Sequence, residues 1–350
     1  MRRRSGRVSA RAAAETAARR GEAVAVGSLS PLASVSATRA VLEDHGLAAK
    51  KALGQNFLVN DAILARIVDL AELSSDDVVL EVGPGIGTLT IALLKNAAYV
   101  VSVERDPDLP AVLAETLDPW ADWFALIRKD ALDLTEDDVR AAMGGFCSAP
   151  EAMPSKFVAN LPYAVAATIV LDFFERFATL SSATVMVQKG VADRMAASPG
   201  NKNYGAYTVK LGMYAAPAGS FVVGPGNFFP PPHVDSAVIR LDRRTPAALE
   251  NAAAALAAEL PHRAEAGEGA VVEALREATC RIADAAFTNR RKTLANSCKA
   301  YFASRGEAGK QTAAALPQLF EQAGIDPKRR GETLSQEEFI ALGAAYLQMQ

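Results

Sequence analysis

Val78-Val79-Leu80-Glu81-Val82-Gly83-Pro84-Gly85-Ile86-Gly87, residues 78–87, is the stretch from which the fold is read. Four apolar residues and one carboxylate make a strand buried on both faces, as the strands of a parallel sheet are, and glycines at every second position then turn the chain. A helical stretch follows, with Leu89, Ala92 and Leu93 on one face. Another precedes it at 61–73, where Ile63, Leu64, Ile67, Val68 and Leu70 share a face at helical spacing. Outward from this unit the alternation continues. Strand-like runs lie at Tyr99 to Val103, Phe124 to Ile127, Lys156 to Ala159, Ala183 to Val187 and Ala237 to Leu241, with an apolar helix at Ala166 to Phe177. Strand and helix in alternation predict βαβ units and an open, mostly parallel sheet with helices on both faces. After about Arg244 the strand signals stop. Residues 247–259 are nearly all alanine, leucine and glutamate, and the rest reads as helices broken by Gly306, Gly309, Pro317, Gly324 and Pro327.

The reading therefore divides the chain into a disordered basic extension over 1–38, an α/β domain over 39–244 and a small all-helical domain over 245–350. A chain of 350 residues has room for two folded units, since single cores stop growing near roughly 250–300 residues. Residues 1–24 carry seven arginines and two glutamates. They lack the apolar segment of a secretory signal, although an Arg-rich, acid-poor start also suits organelle import. No apolar run approaches the ~20 residues that a membrane span needs. Cys147, Cys280 and Cys298 are far apart and have no partner at metal-ligand spacing, so neither a disulfide framework nor a metal site is expected, and a reducing cytoplasm fits. The net charge of −3 excludes a protein coated all round in positive charge. Basic residues are nonetheless clustered at Lys50-Lys51, Arg290-Arg291-Lys292 and Lys328-Arg329-Arg330. Each cluster reads either as part of a groove for nucleic acid or as solvated surface charge.

The glycine loop sits where a buried strand turns into a helix, the place where doubly wound sheets bind nucleotides. Its spacing is G-x-G-x-G, not the G-x-G-x-x-G of the dinucleotide fingerprint, and a tight structural turn is the alternative. The second strand ends in Glu104, about 20 residues beyond the first glycine, where a carboxylate can accept both hydroxyls of a ribose. That position suits NAD and S-adenosylmethionine equally. Asp130, after the third strand, is placed either for an adenine edge or to cap the next helix. Asn160-Leu161-Pro162-Tyr163, after the fourth strand, decides between the two ligands. The exocyclic amine of adenine is a poor nucleophile because its lone pair is delocalised into the ring. Methylating it needs acceptors that hold its hydrogens while the lone pair turns towards a sulfonium methyl. Asn160 offers a side-chain carbonyl, Pro162 fixes the backbone so that a neighbouring main-chain carbonyl is the second acceptor, and Tyr163 gives a flat face for a flipped-out base.

With these motifs in one order, the sequence closely resembles the ribosomal RNA small-subunit adenine dimethyltransferases of the KsgA type from about residue 40 to 346. The resemblance extends to Leu53-Gly54-Gln55-Asn56-Phe57-Leu58, Asn203-Tyr204-Gly205, Phe228 to Ser236, Phe287 to Leu294 and Arg330 to Ser335. It implies a Rossmann-like class I methyltransferase domain and a small helical RNA-binding domain. It also implies that Asn56, Leu58, Gly83, Glu104, Asp130 and Asn160 contact S-adenosylmethionine. Tyr163 and Phe228 would sandwich the target base, with a core phenylalanine as the alternative for Phe228. Arg290, Arg291 and Lys292, expected on a helix, would contact phosphates without specifying sequence. The substrate implied is a pair of neighbouring adenosines in the 3′-terminal hairpin of small-subunit rRNA, each methylated twice by a monomer acting on a partly assembled subunit. Two places depart from the family, an alanine-rich, lengthened stretch from about 245 to 275 and the 1–35 extension, and His233 stands where the family usually has lysine. Three rivals stand beside this reading. They are a resistance methylase acting on large-subunit rRNA, a non-catalytic organellar assembly factor and, more distantly, a nicotinamide dehydrogenase, for which no hydride-transfer acid is found.

Overall fold

The runs of β-branched and apolar residues become strands where the sequence places them, and three more strands join them among the described residues. The computed structural model describes residues 27–50, 54–144, 153–259 and 267–350. Most of the basic extension, Lys51, Leu53, Cys147 and the middle of the alanine-rich stretch lie outside the described residues. The strands are β1 (Phe57–Leu58), β2 (Val78–Val82), β3 (Tyr99–Glu104), β4 (Phe124–Arg128), β5 (Lys156–Asn160), β6 (Ser182–Gln188), β7 (Ala215–Val223), β8 (Phe228–Phe229) and β9 (Ser236–Arg243). Seven of them form one sheet in the order β4-β3-β2-β5-β6-β9-β7, while β1 and β8 pair separately. β4, β3, β2, β5 and β6 run parallel, and β9 is antiparallel to β6. Parallel register puts the carboxyl ends of β2, β3, β4 and β5 along one edge: Val82 pairs with Val103, and Glu104 with Arg128.

β7 escaped the sequence reading because Pro217 and Gly219 interrupt it. A proline that cannot donate to a ladder is tolerated only at an edge, and β7 is the edge strand.

The chain divides into two compact units, Met1–Ala192 with Pro217–Arg243, and Asp193–Ala216 with Arg244–Gln350. The sequence reading kept 39–244 together. The excursion Asp193–Ala216 instead belongs with the helical unit, and long-range bonds explain why. The Tyr204 hydroxyl donates to the Leu334 carbonyl at 2.9 Å, Gly200 N–H to the Glu332 carbonyl at 2.8 Å, and Lys210 pairs with Asp284 at 2.7 Å. Asn203-Tyr204-Gly205 and Arg330 to Ser335, which carried the family resemblance, thus lock together two parts of one helical unit. That unit contains the helices Ala206–Gly212, Ala247–Glu259, Glu268–Phe287, Leu294–Ala303, Gly306–Gln322 and Gln336–Gln348. Gly343 lets two of them touch, since a Cβ there would stand 2.3 Å from Thr279 Oγ1.

The expected disorder through residue 38 is corrected for residues 27–38. Ser34 caps the helix Val35–Asp44 by accepting a bond from Ala37 N–H at 3.1 Å. Leu29, Leu32 and Ala33 pack on the core of the first unit. The Asp61 carboxylate accepts from Leu29 N–H at 2.9 Å and from Ser30 N–H at 2.9 Å. A composition poor in large apolar residues hid a segment that is fixed by backbone donors and a distant acceptor. Replacing Asp61 with alanine leaves both amides without their acceptor, so urea unfolding of Asp61→Ala should show a loss of about 1–3 kcal/mol.

Candidate active site

A cavity of about 390 Å³ opens at the carboxyl edge of the sheet, within the range of small-molecule sites. All six residues assigned to cofactor contact line it: Asn56, Leu58, Gly83, Glu104, Asp130 and Asn160. Leu161, Pro162 and Tyr163 line it too. Parallel strand order brings these positions together from more than 100 residues of sequence.

The glycine loop forms the floor. Gly83, Gly85 and Gly87 all have positive φ, at 70°, 61° and 91°, a backbone that side chains with a Cβ disfavour. At Gly85 there is a second reason, because a Cβ would lie 3.2 Å from the Phe57 ring. Gly83 N–H is taken by the Val103 carbonyl at 2.9 Å, which ties the loop to β3.

Glu104 stands at the tip of β3 with a buried carboxylate that accepts a bond from Asp106 N–H at 2.7 Å. Burial pushes its pKa up, and the backbone donors pull against that. Asp106 is in turn held by Lys50 Nζ at 2.6 Å and Gln55 Nε2 at 2.7 Å, while Lys50 also reaches Asp108 at 2.5 Å. Burial opposes it, but these bonds and the one from Asp108 N–H keep the Asp106 carboxyl below the usual range. The segment that carries Asn56 is therefore fastened to the same turn that sets Glu104. Gln55 and Asp106 were not singled out from sequence, since only the folded chain brings them within reach.

Asp130 caps the next turn and also stands on the cavity wall. One oxygen caps the turn Ala131–Asp133 by accepting from Leu132 N–H at 3.1 Å, and the other meets Arg105 at 3.1 Å on the cavity wall. Asn160, the last residue of β5, donates its Nδ2 to the Asn56 carbonyl at 3.2 Å. Its Oδ1 makes no bond with the described protein. The Pro162 carbonyl is occupied by Val165 N–H at 3.2 Å and Ala166 N–H at 3.1 Å. Tyr163 is half-buried, and its hydroxyl shares a 2.5 Å bond with Ser236 at the start of β9. Ser236 is fully buried, so the ring's far end is anchored. Burial raises the Tyr163 pKa, and the phenol stays neutral.

Phe228 departs from the expected sandwich. It is 3% exposed, pairs with Leu58 across the β1–β8 ladder, and joins the core cluster that holds Leu64 and Val238. It is absent from the cavity wall, so the alternative reading as a core phenylalanine describes its surroundings. Sequence could not separate the two, because an aromatic before prolines suits a rigid loop and a core ladder alike.

Two polar groups of the cavity were overlooked. Glu81, in the middle of the deciding stretch, is 1% exposed, and one of its oxygens accepts from Thr90 Oγ1 at 2.8 Å and from Ser102 Oγ at 2.6 Å. Burial raises its pKa to about 7 against the opposing hydroxyl bonds, with Glu104 adding to the rise. The Thr88 hydroxyl is buried in the same wall without a hydrogen-bond partner among the described residues. A buried orphan donor beside a glycine cradle and two carboxylates fits a polar, cationic ligand.

In the helical unit, Arg290, Arg291 and Lys292 lie in the turn between the helices Glu268–Phe287 and Leu294–Ala303, and not on a helix. Thr293 starts the second helix by accepting from Asn296 N–H, which leaves the basic residues outside both. Arg290 is spent internally, on Glu332 at 2.8 Å and the Asn201 carbonyl at 3.3 Å. Arg291 and Lys292 are exposed and make no ion pair among the described residues.

This sheet order, with a glycine loop, a ribose-height carboxylate and an Asn-Leu-Pro-Tyr edge, defines a class I methyltransferase. Residues 46–256 match the model of the family described as ribosomal RNA adenine dimethylase, and the chain belongs to that family. It is 39% identical over 313 residues to Ribosomal RNA small subunit methyltransferase A of Corynebacterium jeikeium, covering 88% of this chain and 94% of that one. The protein of the same name from Streptomyces griseus is 40% identical over 301 residues, 85% and 89% of the two chains. Among solved structures, a dimethyladenosine transferase from Plasmodium falciparum shares the fold with a TM-score of 0.60 at 20% identity, over 82% of this chain and 95% of that one. The 23S rRNA methyltransferase ErmE follows with 0.54 at 24% identity, over 83% and 99%.

Two measurements test this description. The unfolded Glu81 carboxyl titrates near 4.5 and the folded one near 7, so between those values the folded state holds more protons and stability falls as pH rises. Glu81→Gln lacks this titration. Between pH 5 and pH 8 the unfolding free energy of the ligand-free variant should gain on wild type by roughly 2–4 kcal/mol, and a constant difference would remove the buried-carboxylate account. Phe228→Ala should lose about 3–5 kcal/mol of stability in denaturant titration, as large core truncations do; an unchanged midpoint would return the ring to the cavity.

Proposed function

We propose that this chain transfers methyl groups from S-adenosylmethionine to the exocyclic amines of two adjacent adenosines in the 3′-terminal hairpin of small-subunit rRNA, twice at each. In this reading it acts in the cytoplasm as a monomer on a partly assembled small subunit. The observation that carries the chemistry is Asn160, whose Nδ2 is fixed by the Asn56 carbonyl while Oδ1 stays unpaired at the cavity. That leaves one strong acceptor for an amine hydrogen. With the Pro162 carbonyl committed to the start of the helix Ala166–Arg176, the Leu161 carbonyl is the neighbouring main-chain acceptor.

S-adenosylmethionine supplies, when bound, an electrophilic methyl on a positively charged sulfur. Glu104 would hold its ribose hydroxyls and Asp130 its adenine edge. Gly83 and Gly85 let the backbone come close, Asn56 and Leu58 close the cavity from the β1 side, and Thr88 offers the unspent hydroxyl. Asn160 Oδ1 and Leu161 O face the amine, where positive charge develops as the methyl arrives, and this complementarity lowers the barrier without a strongly basic group. Tyr163 supplies a stacking face whose tilt is set by Ser236. The choice of small-subunit over large-subunit RNA is supported by the names of the 39% and 40% identical relatives. Exposed Arg291 and Lys292 suit phosphate docking in the helical unit.

Undermethylated small subunits and large-subunit RNA offered in parallel with labelled cofactor should give label in the small-subunit adenosines only. Asn160→Ala should lose at least ~10²-fold in methyl transfer, with cofactor affinity by calorimetry reduced less than in Glu104→Ala. Label in large-subunit RNA would reverse the assignment to the resistance-methylase reading.

A further inference from the structure

Four helices of the second unit, Glu268–Phe287, Leu294–Ala303, Gly306–Gln322 and Gln336–Gln348, border a cavity of about 780 Å³. Arg281, Tyr301, Arg305, Gln311, Thr312 and Tyr346 are on its wall. Arg281 donates to the Tyr346 hydroxyl at 3.3 Å and lies 6.0 Å from that ring's centre. Arg305 lies 3.4 Å from the centre of the Tyr301 ring and donates to the Tyr301 carbonyl at 3.0 Å. Each guanidinium carries five N–H donors, and the protein uses one from each.

Neither arginine has an acidic partner at ion-pair distance among the described residues, whereas other arginines of this unit do. Arg276, Arg290 and Arg329 pair with Glu273, Glu332 and Glu338. Glu277, one helical turn from Arg281, acts on it only through space, and Glu307, next to Arg305, is taken by Lys310 at 3.2 Å. Two unneutralised guanidinium groups, Arg305 stacked over the Tyr301 ring and Arg281 held by the Tyr346 hydroxyl, line one cavity. A stacked guanidinium keeps its planar fork of donors free, the geometry that matches a phosphate.

We propose that this cavity binds backbone phosphates of an RNA strand, and so is a docking point for the RNA substrate separate from the 290–292 turn. The inference rests on the proposed function only for the identity of the polyanion. Arginines interleaved with aromatic rings suit a nucleic-acid strand better than an acidic peptide, because ring and guanidinium faces also accept bases. Gln311 supplies a neutral donor that can complete a phosphate's shell.

The test is the double variant Arg281→Gln/Arg305→Gln in the full chain, checked for folding by its circular dichroism melt. Binding of a fluorescent small-subunit rRNA hairpin is followed by anisotropy between 50 and 300 mM salt. The log–log salt slope should fall by about 1.4–1.8, the value for two phosphates at roughly 0.7–0.9 each. KM for undermethylated small subunits should rise several-fold with kcat at saturation unchanged. If the double variant melts early, single Arg305→Gln, at an exposed position, should lower the slope by about half as much. A folded variant with unchanged slope and KM overturns the proposal. So does tighter binding of poly-glutamate than of RNA by wild type that disappears in the variant, which would make the cavity a peptide site. Affinity for free pyrophosphate that falls in the double variant while RNA affinity and its salt slope stay unchanged would assign the cavity to a free phosphate compound and also overturn the proposal. A wild-type chain that binds the hairpin but methylates no adenosine would defeat the proposed function, and the slope comparison would still decide the docking site.

Discussion

Glu81 is the one carboxylate inside the strand that decides the fold, and one of its oxygens gathers a hydroxyl from the helix Thr88–Leu94 and another from β3. Those two bonds fix the turn between β2 and its helix from below. An ionised carboxylate at 1% exposure is costly, and the raised pKa expresses that cost. Burying it is tolerable because two hydroxyls serve one oxygen and because the cavity above is open to a ligand. The floor of the site, the spacing of the glycines and the position of Glu104 on the neighbouring strand all follow from this junction.

From the junction, order passes along the carboxyl edge of the sheet. Glu104 is set by Asp106 N–H, and the Asp106 carboxylate gathers Lys50 and Gln55. Asn56 then follows, and its carbonyl takes the Asn160 amide, which turns the free oxygen of Asn160 to the cavity. The residues proposed to hold the cofactor and those proposed to meet the target base are thereby joined by hydrogen bonds through Asn56. Tyr163 depends on a different anchor, Ser236 at the antiparallel end of the sheet. The Tyr163 ring is thus set by β9, while Asn160 is set by β5 and the segment before β1.

The second unit shows how one residue type serves opposite ends. Arg290 and Arg329 stabilise the unit from within through Glu332 and Glu338, and Phe287 meets Tyr204 edge to face and stacks on Phe339, with ring centres 5.9 and 6.0 Å apart. Within the motifs that stand out in the sequence here, Arg290, Tyr204 and Phe287 are structural. Arginines that stand out less, Arg281 and Arg305, keep their charge available.

What the sequence determined by itself is whatever depends on neighbours along the chain. The alternation of β2 to β6 with helices, the positive-φ glycine loop, the carboxylate ending β3 and the Asn160 to Tyr163 edge were all legible. Parallel strand order then forces those strand ends together, so the cavity could be foreseen from its pieces. Tertiary structure alone decided the rest. Phe228 is buried because Leu58 pairs with it across some 170 residues, and β7 is a strand because an edge tolerates Pro217. Residues 27–38 are fixed in part by Asp61, and 193–216 belongs with the helices because of Leu334 and Glu332. Each of these rests on a hydrogen bond or a packing contact between residues far apart in the chain, and local periodicity carries no record of a partner that distant.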